Sequence, residues 1–76
     1  MREIEFKMER SGLVEVGQKV EIREGRLPYN YYYVVEPAVA MSGNFLLQER
    51  LYASYGIVKE ILEKETGMYL IVEFEE

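Results

Sequence analysis

The sequence predicts a mainly β, single small domain: a closed or partly open barrel of five or six short antiparallel strands. Three observations carry this. Apolar and polar residues alternate strictly near the start of the chain, and every second residue from Met68 to Phe74 is apolar. The runs between them are short and rich in Val, Ile and Tyr, which favour strands. Gly and Pro separate those runs at close spacing. With 76 residues there is room for one domain, 1–76, and for a thin core only.

Residues 3–9 set Ile4, Phe6 and Met8 against Glu3, Glu5, Lys7 and Glu9, the period of a half-buried strand. Arg10-Ser11-Gly12 reads as a turn. In the next stretch Val14, Val16, Val20 and Ile22 all occupy even positions. A two-residue hairpin at Gly17-Gln18 would oppose Val16 to Lys19, placing a charge on the apolar face. A three-residue loop, Gly17 to Lys19, pairs Val16 with Val20 and Val14 with Ile22, and one long bent strand satisfies the same parity. Glu24 to Pro28 is a loop. Tyr29 to Glu36 is a strand with Tyr29, Tyr31, Tyr33 and Val35 on one face and Asn30, Tyr32, Val34 and Glu36 on the other, stopped by Pro37. Pro37 to Gly43 suits either one helical turn or a loop.

Residues 45–67 admit two structures. Ile57, Val58, Ile61 and Leu62 form the stripe of an amphipathic helix at about 55–65, with Ser54 as its cap and Gly67 past its end. That reading gives an α+β domain, one helix on a four-stranded antiparallel sheet. The other is a strand from Gly56, a turn at Glu63 to Gly67 and a partner strand. It needs a bulge between Val58 and Ile61 to keep both inside, because their separation is odd. Gly56 would cost a helix ~1 kcal/mol against Ala, and Met68 to Glu75, with Met68, Leu70, Val72 and Phe74 on one face, wants a hairpin partner. Context favours the hairpin.

Val14-x-Val16-Gly17-x-x-Val20-x-Ile22 and Gly56-x-Val58-x-x-Ile61 resemble strand motifs common in SH3-like small barrels. The resemblance is one of fold and spans under a third of the chain. It implies an SH3-like barrel and no particular activity.

Composition removes most active-site chemistry. There is no Cys, His, Asp or Trp, and all fourteen acids are Glu. Thiol and Ser-His-acid catalysis and N/S zinc sites are excluded. Ser11, Ser42 and Ser54 sit in no nucleophile elbow. Gly12 to Lys19 lacks the Lys-Ser/Thr ending of a phosphate loop. With fourteen Glu some pair meets any distance rule for acid–base chemistry, and a domain this small rarely encloses a pocket of ~300 Å³. Glu73, Glu75 and Glu76 lack the Asp/Asn pattern of a calcium loop. The expectation is that the chain is no enzyme and holds no cofactor or metal.

Residues 1–35 balance six Lys/Arg against six Glu, whereas residues 36–76 carry three against eight and account for the whole net charge of −5. This is the reverse of a duplex-binding surface and keeps the protein soluble. No apolar run exceeds five residues, where a membrane span needs about 20. The charged start Met1 to Lys7 is no secretory signal, so a cytoplasmic location is expected. The unusual feature is the tyrosine run. Tyrosine joins a flat apolar ring to a polar tip at little entropic cost. Tyr29, Tyr31, Tyr32 and Tyr33, flanked by Arg23 and Arg26, are the candidate contact surface, either for a protein partner or for a second copy of the chain. The alternative is a single-stranded nucleic-acid-binding small barrel, with bases stacked on the tyrosines and Lys19, Arg23 and Arg26 on phosphates; the acidic second half argues against it.

Overall fold

The computed structural model describes residues 1–9, 14–36 and 40–76. Six strands, β1 (Arg2–Met8), β2 (Lys19–Arg26), β3 (Tyr31–Val35), β4 (Ala40–Met41), β5 (Tyr55–Lys64) and β6 (Gly67–Phe74), close into an antiparallel barrel in the order β1-β4-β3-β2-β5-β6. Closure removes the sheet edges that a chain of short strands would otherwise expose. The turn expected at Arg10-Ser11-Gly12 and the start of the Pro37 segment lie outside the described residues; the later part of that segment is β4, not a helical turn.

The alternation fixes what fills the barrel. Ile4, Phe6 and Met8 point inward from β1, and Leu70, Val72 and Phe74 from β6, in the register Ile4↔Val72 and Phe6↔Leu70. Val20, Tyr31, Tyr33, Val35, Ala40 and Val58 complete the interior, with Phe6 and Phe74 in tilted contact at 6.5 Å. On the outer wall Lys59 and Lys64 reach across β6 to Glu3 and Glu5 of β1. Such exposed pairs contribute little to stability.

Residues 55–64 are strand, which disposes of the helix at 55–65 and of the α+β alternative. The hairpin register runs Val58↔Val72 and then Glu60↔Ile71, so Lys59 is the extra residue of a bulge. That bulge returns Ile61 to the inner face beside Val58, as the parity required. The turn tightens to Glu65-Thr66, with Gly67 at φ 136°.

The expected pairing of Val14 and Val16 with Ile22 and Val20 does not form, nor does a long bent strand. Gln18 N–H donates to the Glu15 carbonyl (3.1 Å) across a turn whose third residue, Gly17, has φ 90°, the mark of a type II turn. Gly17 N–H then donates to Val58 O (2.7 Å) and Val58 N–H to Gln18 O (2.9 Å). β5 therefore takes the pairing that the hairpin needed, Val14 stays buried, and Val16 faces solvent.

Gly56 faces the interior because nothing larger fits. A Cβ there would lie 2.6 Å from Val72 Cγ1, 2.7 Å from Phe74 Cε1 and 2.8 Å from the Glu73 carbonyl oxygen. Gly43 has open space around it. Gly56→Ala is expected to destabilise the barrel by about 1–3 kcal/mol through overpacking, whereas Gly43→Ala should stay within about 0.5 kcal/mol of wild type. Urea denaturation of the two variants checks both.

Candidate functional site

One end of the barrel is crossed by the segment between β4 and β5. Phe45 pairs with Tyr31 through two backbone hydrogen bonds (2.7 and 2.9 Å), and a single 3₁₀ turn, Leu47–Glu49, follows. The chain then runs extended to β5. Leu51 plugs the opening, at 3% exposure, with Phe45 and Ala53 of the same segment packed half-buried against the core.

Three side chains from the barrel wall and one from just past β6 hold this strap. The Tyr33 hydroxyl accepts the Leu51 N–H at 2.7 Å and directs its own proton to Glu24 Oε2 at 3.1 Å. Glu24 in turn receives both Arg50 Nε (3.0 Å) and Arg50 Nη2 (2.9 Å), the two-pronged geometry that suits a guanidinium. Arg2 donates to the Glu49 and Arg50 carbonyls and lies over the Phe45 ring. Glu76 Oε1 accepts the Tyr52 and Ala53 N–H groups at 3.0 and 2.7 Å.

Charge and burial shift two of these groups in opposite directions. Arg50's hydrogen bonds hold the Glu24 carboxyl below the ordinary range; partial burial opposes them, and the Tyr33 hydrogen bond adds to them. Burial pushes the Tyr33 phenol up, and the neighbouring Glu24 carboxylate adds to that.

Above the strap Arg50 packs on two rings, Tyr31 at 4.8 Å and Tyr52 at 5.4 Å from its guanidinium carbon. Exposed at this end among the described residues are Tyr29 at 89%, Tyr52 at 76% and Leu47 at 62%. Leu27, Tyr29, Tyr31 and Leu47 line one shallow depression together with Arg26. On the other side of the strap a recess of about 400 Å³ is lined by Met1, Tyr52 to Ile57, Glu73 and Glu75. It is an open recess rather than an enclosed cavity, which is how so small a domain accommodates it.

The sequence-derived candidates divide three ways. Tyr33 is core, and Tyr31 is buried apart from the edge under Arg50. Tyr32 lies on the outer wall, its ring flat against Gly25 of the facing strand, where an added Cβ would meet ring carbons at 2.0 to 2.5 Å. Arg23, also outside, is paired with Glu36 at 2.8 Å. Only Tyr29 and Arg26 join Tyr31 at the barrel end. The strand begins at Tyr31 rather than Tyr29 because residues 27–30 close the β2–β3 hairpin, Leu27 N–H donating to Asn30 O at 2.8 Å. Tyr29 is thus a loop-tip residue.

Arg50, Tyr52, Leu46 and Leu47 belong to this end face and were not among the candidates. Their signal was present: Phe45 to Tyr52 carries more large apolar residues than one plug can bury. Ser42 accepts the Tyr33 N–H (2.9 Å) and donates to Gly43 O (2.8 Å), so its hydroxyl is engaged by backbone. Among the described residues no group of three or more carboxylates is placed to hold a metal ion, and no helix is long and apolar enough to cross a membrane. Protein-family models, curated proteins and solved structures give no match to this chain.

Removing the Tyr33 hydroxyl in Tyr33→Phe orphans the buried Leu51 N–H and is expected to cost about 1–3 kcal/mol, read from urea midpoints. Glu24's carboxyl is lowered in the fold, so its contribution is complete above the unfolded Glu pKa of about 4.3. It is lost as pH falls through the lower folded value. Glu24→Gln should therefore be less stable than wild type at pH 7 and show a shallower loss of stability on acidification, measured as denaturation midpoint against pH.

Proposed function

We propose that this chain is a non-enzymatic protein-interaction module built on a small, SH3-like barrel, which associates with a protein partner or with itself through the tyrosine-bearing strapped end. The observation that carries the reading is the exposure of Tyr29 and Leu47, which share a depression with Tyr31, and of Tyr52, with Arg50 held by Glu24 between the rings of Tyr31 and Tyr52. Tyr and Arg are the side chains that dominate protein interfaces, and a preordered arginine loses little freedom when a partner covers it. A contiguous aromatic and aliphatic surface on a small barrel is what docking requires.

The nucleic-acid alternative has less behind it. Of its three cations, Arg23 is paired with Glu36 and Lys19 sits over the Tyr55 ring at 4.3 Å. Arg50, which lies over the exposed ring of Tyr52 at 5.4 Å, is neutralised by Glu24.

Because Tyr31 and Tyr33 are core, the informative substitutions are at exposed positions. Tyr29→Ser combined with Leu47→Ser should leave the melting temperature within a few degrees of wild type. Self-association predicts that wild type sediments as a concentration-dependent dimer and the double variant as a monomer. If wild type is monomeric, capture of a partner from native lysate by wild type and its loss by the double variant would support the heterologous form. Equal behaviour of the two proteins in both measurements would remove the proposal.

A further inference from the structure

The recess beside the strap has a chemistry different from the rest of the end face. Its lining brings together Met1, the backbone of Gly56, the outward side chain of Ile57, aromatic rings and carboxylates. Tyr52 and Tyr55 supply the rings, and Glu73 and Glu75 the carboxylates. These four come together because Tyr55 and Ile57 share the outer face of β5 with Glu73 of β6, in the register Ile57↔Glu73, while Glu75 continues that face and the strap brings Tyr52 over it.

We propose that this recess receives a basic side chain, a lysine or arginine presented by an extended protein segment. The proposal rests on the reading of this end as an interaction surface and specifies what one part of it recognises. Two features point to a cation rather than an apolar side chain. Ring faces attract cations through their quadrupole; each ring already has one cation of the chain beside it, Lys19 Nζ 4.3 Å from the centre of Tyr55 and the Arg50 guanidinium 5.4 Å from that of Tyr52, so an entering cation uses the ring surface these do not cover, chiefly that of Tyr52, 76% exposed. The carboxylates have capacity left. Glu73 has only the outlying contact with Lys59 at 3.7 Å, whose ammonium is committed to Glu3, and Glu75 has no ion pair among the described residues. The segment that lines the recess also belongs to the half of the chain that holds the entire net charge of −5. A cation entering here meets an aromatic stem-binding surface and two carboxylates, set against the chain's own Met1 and, over Tyr55, Lys19; an apolar side chain leaves those carboxylates unanswered. The volume of about 400 Å³ lies within the roughly 300–1,000 Å³ range of ligand clefts and holds a lysine with part of its backbone.

The test uses the whole protein and two capped tripeptides, acetyl-Ala-Lys-Ala-amide and its uncharged counterpart with norleucine in place of lysine. Amide and ring chemical shifts are followed through the titration. The lysine peptide is expected to shift Tyr52, Tyr55, Ile57 and Glu75, with an affinity that falls as salt rises, and the norleucine peptide to leave them in place. Tyr52→Ser and Glu75→Gln should each weaken the lysine peptide about two- to fivefold, and Tyr29→Ser, on the far side of the strap, should not. Equal binding of both peptides would overturn the cation assignment while leaving an apolar interaction surface standing. An absence of any shift, or an affinity untouched by both recess substitutions, would overturn it outright. The sedimentation and capture measurements with the Tyr29/Leu47 variant report on the wider surface separately.

Discussion

A small closed barrel has two open ends, and the core is so shallow that a wet end would reach its centre. The contact on which this molecule depends is therefore the one between wall and plug: the Tyr33 hydroxyl and the Leu51 N–H. Leu51 supplies the apolar closure, but inserting it buries a backbone N–H with no strand to pair it. Tyr33 is long enough to span from β3 to the mouth and meets that N–H with its oxygen. Its own proton then needs an acceptor, which is Glu24, and a carboxylate brought that close to the core needs a counter-charge, which is Arg50 on the strap itself. Each polar group satisfies the next, and no side-chain polar atom is left buried without a partner among the described residues. A partly satisfied chain of this kind would be worse than none.

This arrangement also explains which parts of the fold were legible. Where one face is apolar and the other charged, as with Ile4, Phe6 and Met8 against Glu3, Glu5 and Lys7, parity determines the strand and its inward side; for Leu70, Val72 and Phe74 the period holds although Tyr69 and Ile71 lie on the other face. Parity even located the bulge near Lys59, because Val58 and Ile61 share a side only if one residue is looped out. It failed at Val14 and Val16, where local parity was satisfied by a self-pairing hairpin. Gly17 turns the chain instead, and its N–H pairs with β5, forty residues away in sequence. A period-two pattern says which residues share a face, not which strand they pair with.

The end face was half legible for a related reason. The tyrosine run was conspicuous by composition, yet composition does not separate Tyr33, which is core, from Tyr29, which is fully in solvent. The separation comes from where the hairpin turn is placed, and Pro28 with the Leu27–Asn30 hydrogen bond moves it two residues later than β propensity alone would. Arg50 and Tyr52 had no local pattern, because an extended strap held by side chains from four separate places in the sequence has no periodicity of its own.

What the strap geometry does not require is its aromatic content. In an extended segment the neighbours of a buried residue point away from the core, so Leu51 facing inward forces Arg50 and Tyr52 outward or sideways. Arg50 answers Glu24, and its identity follows from the latch. Tyr52 answers nothing in the interior: its backbone N–H, not its ring, bonds Glu76, and a serine or lysine would leave the plug in place. The same holds for Tyr29 at a hairpin tip and Leu47 in a 3₁₀ turn, positions where turn chemistry favours small polar residues. Three large side chains kept in water, on the one face where the backbone leaves the choice of residue open, are costly for solubility and contribute nothing to closure. Closure of the barrel does not account for their presence, and it is on this property of the sequence that the proposed interaction surface rests.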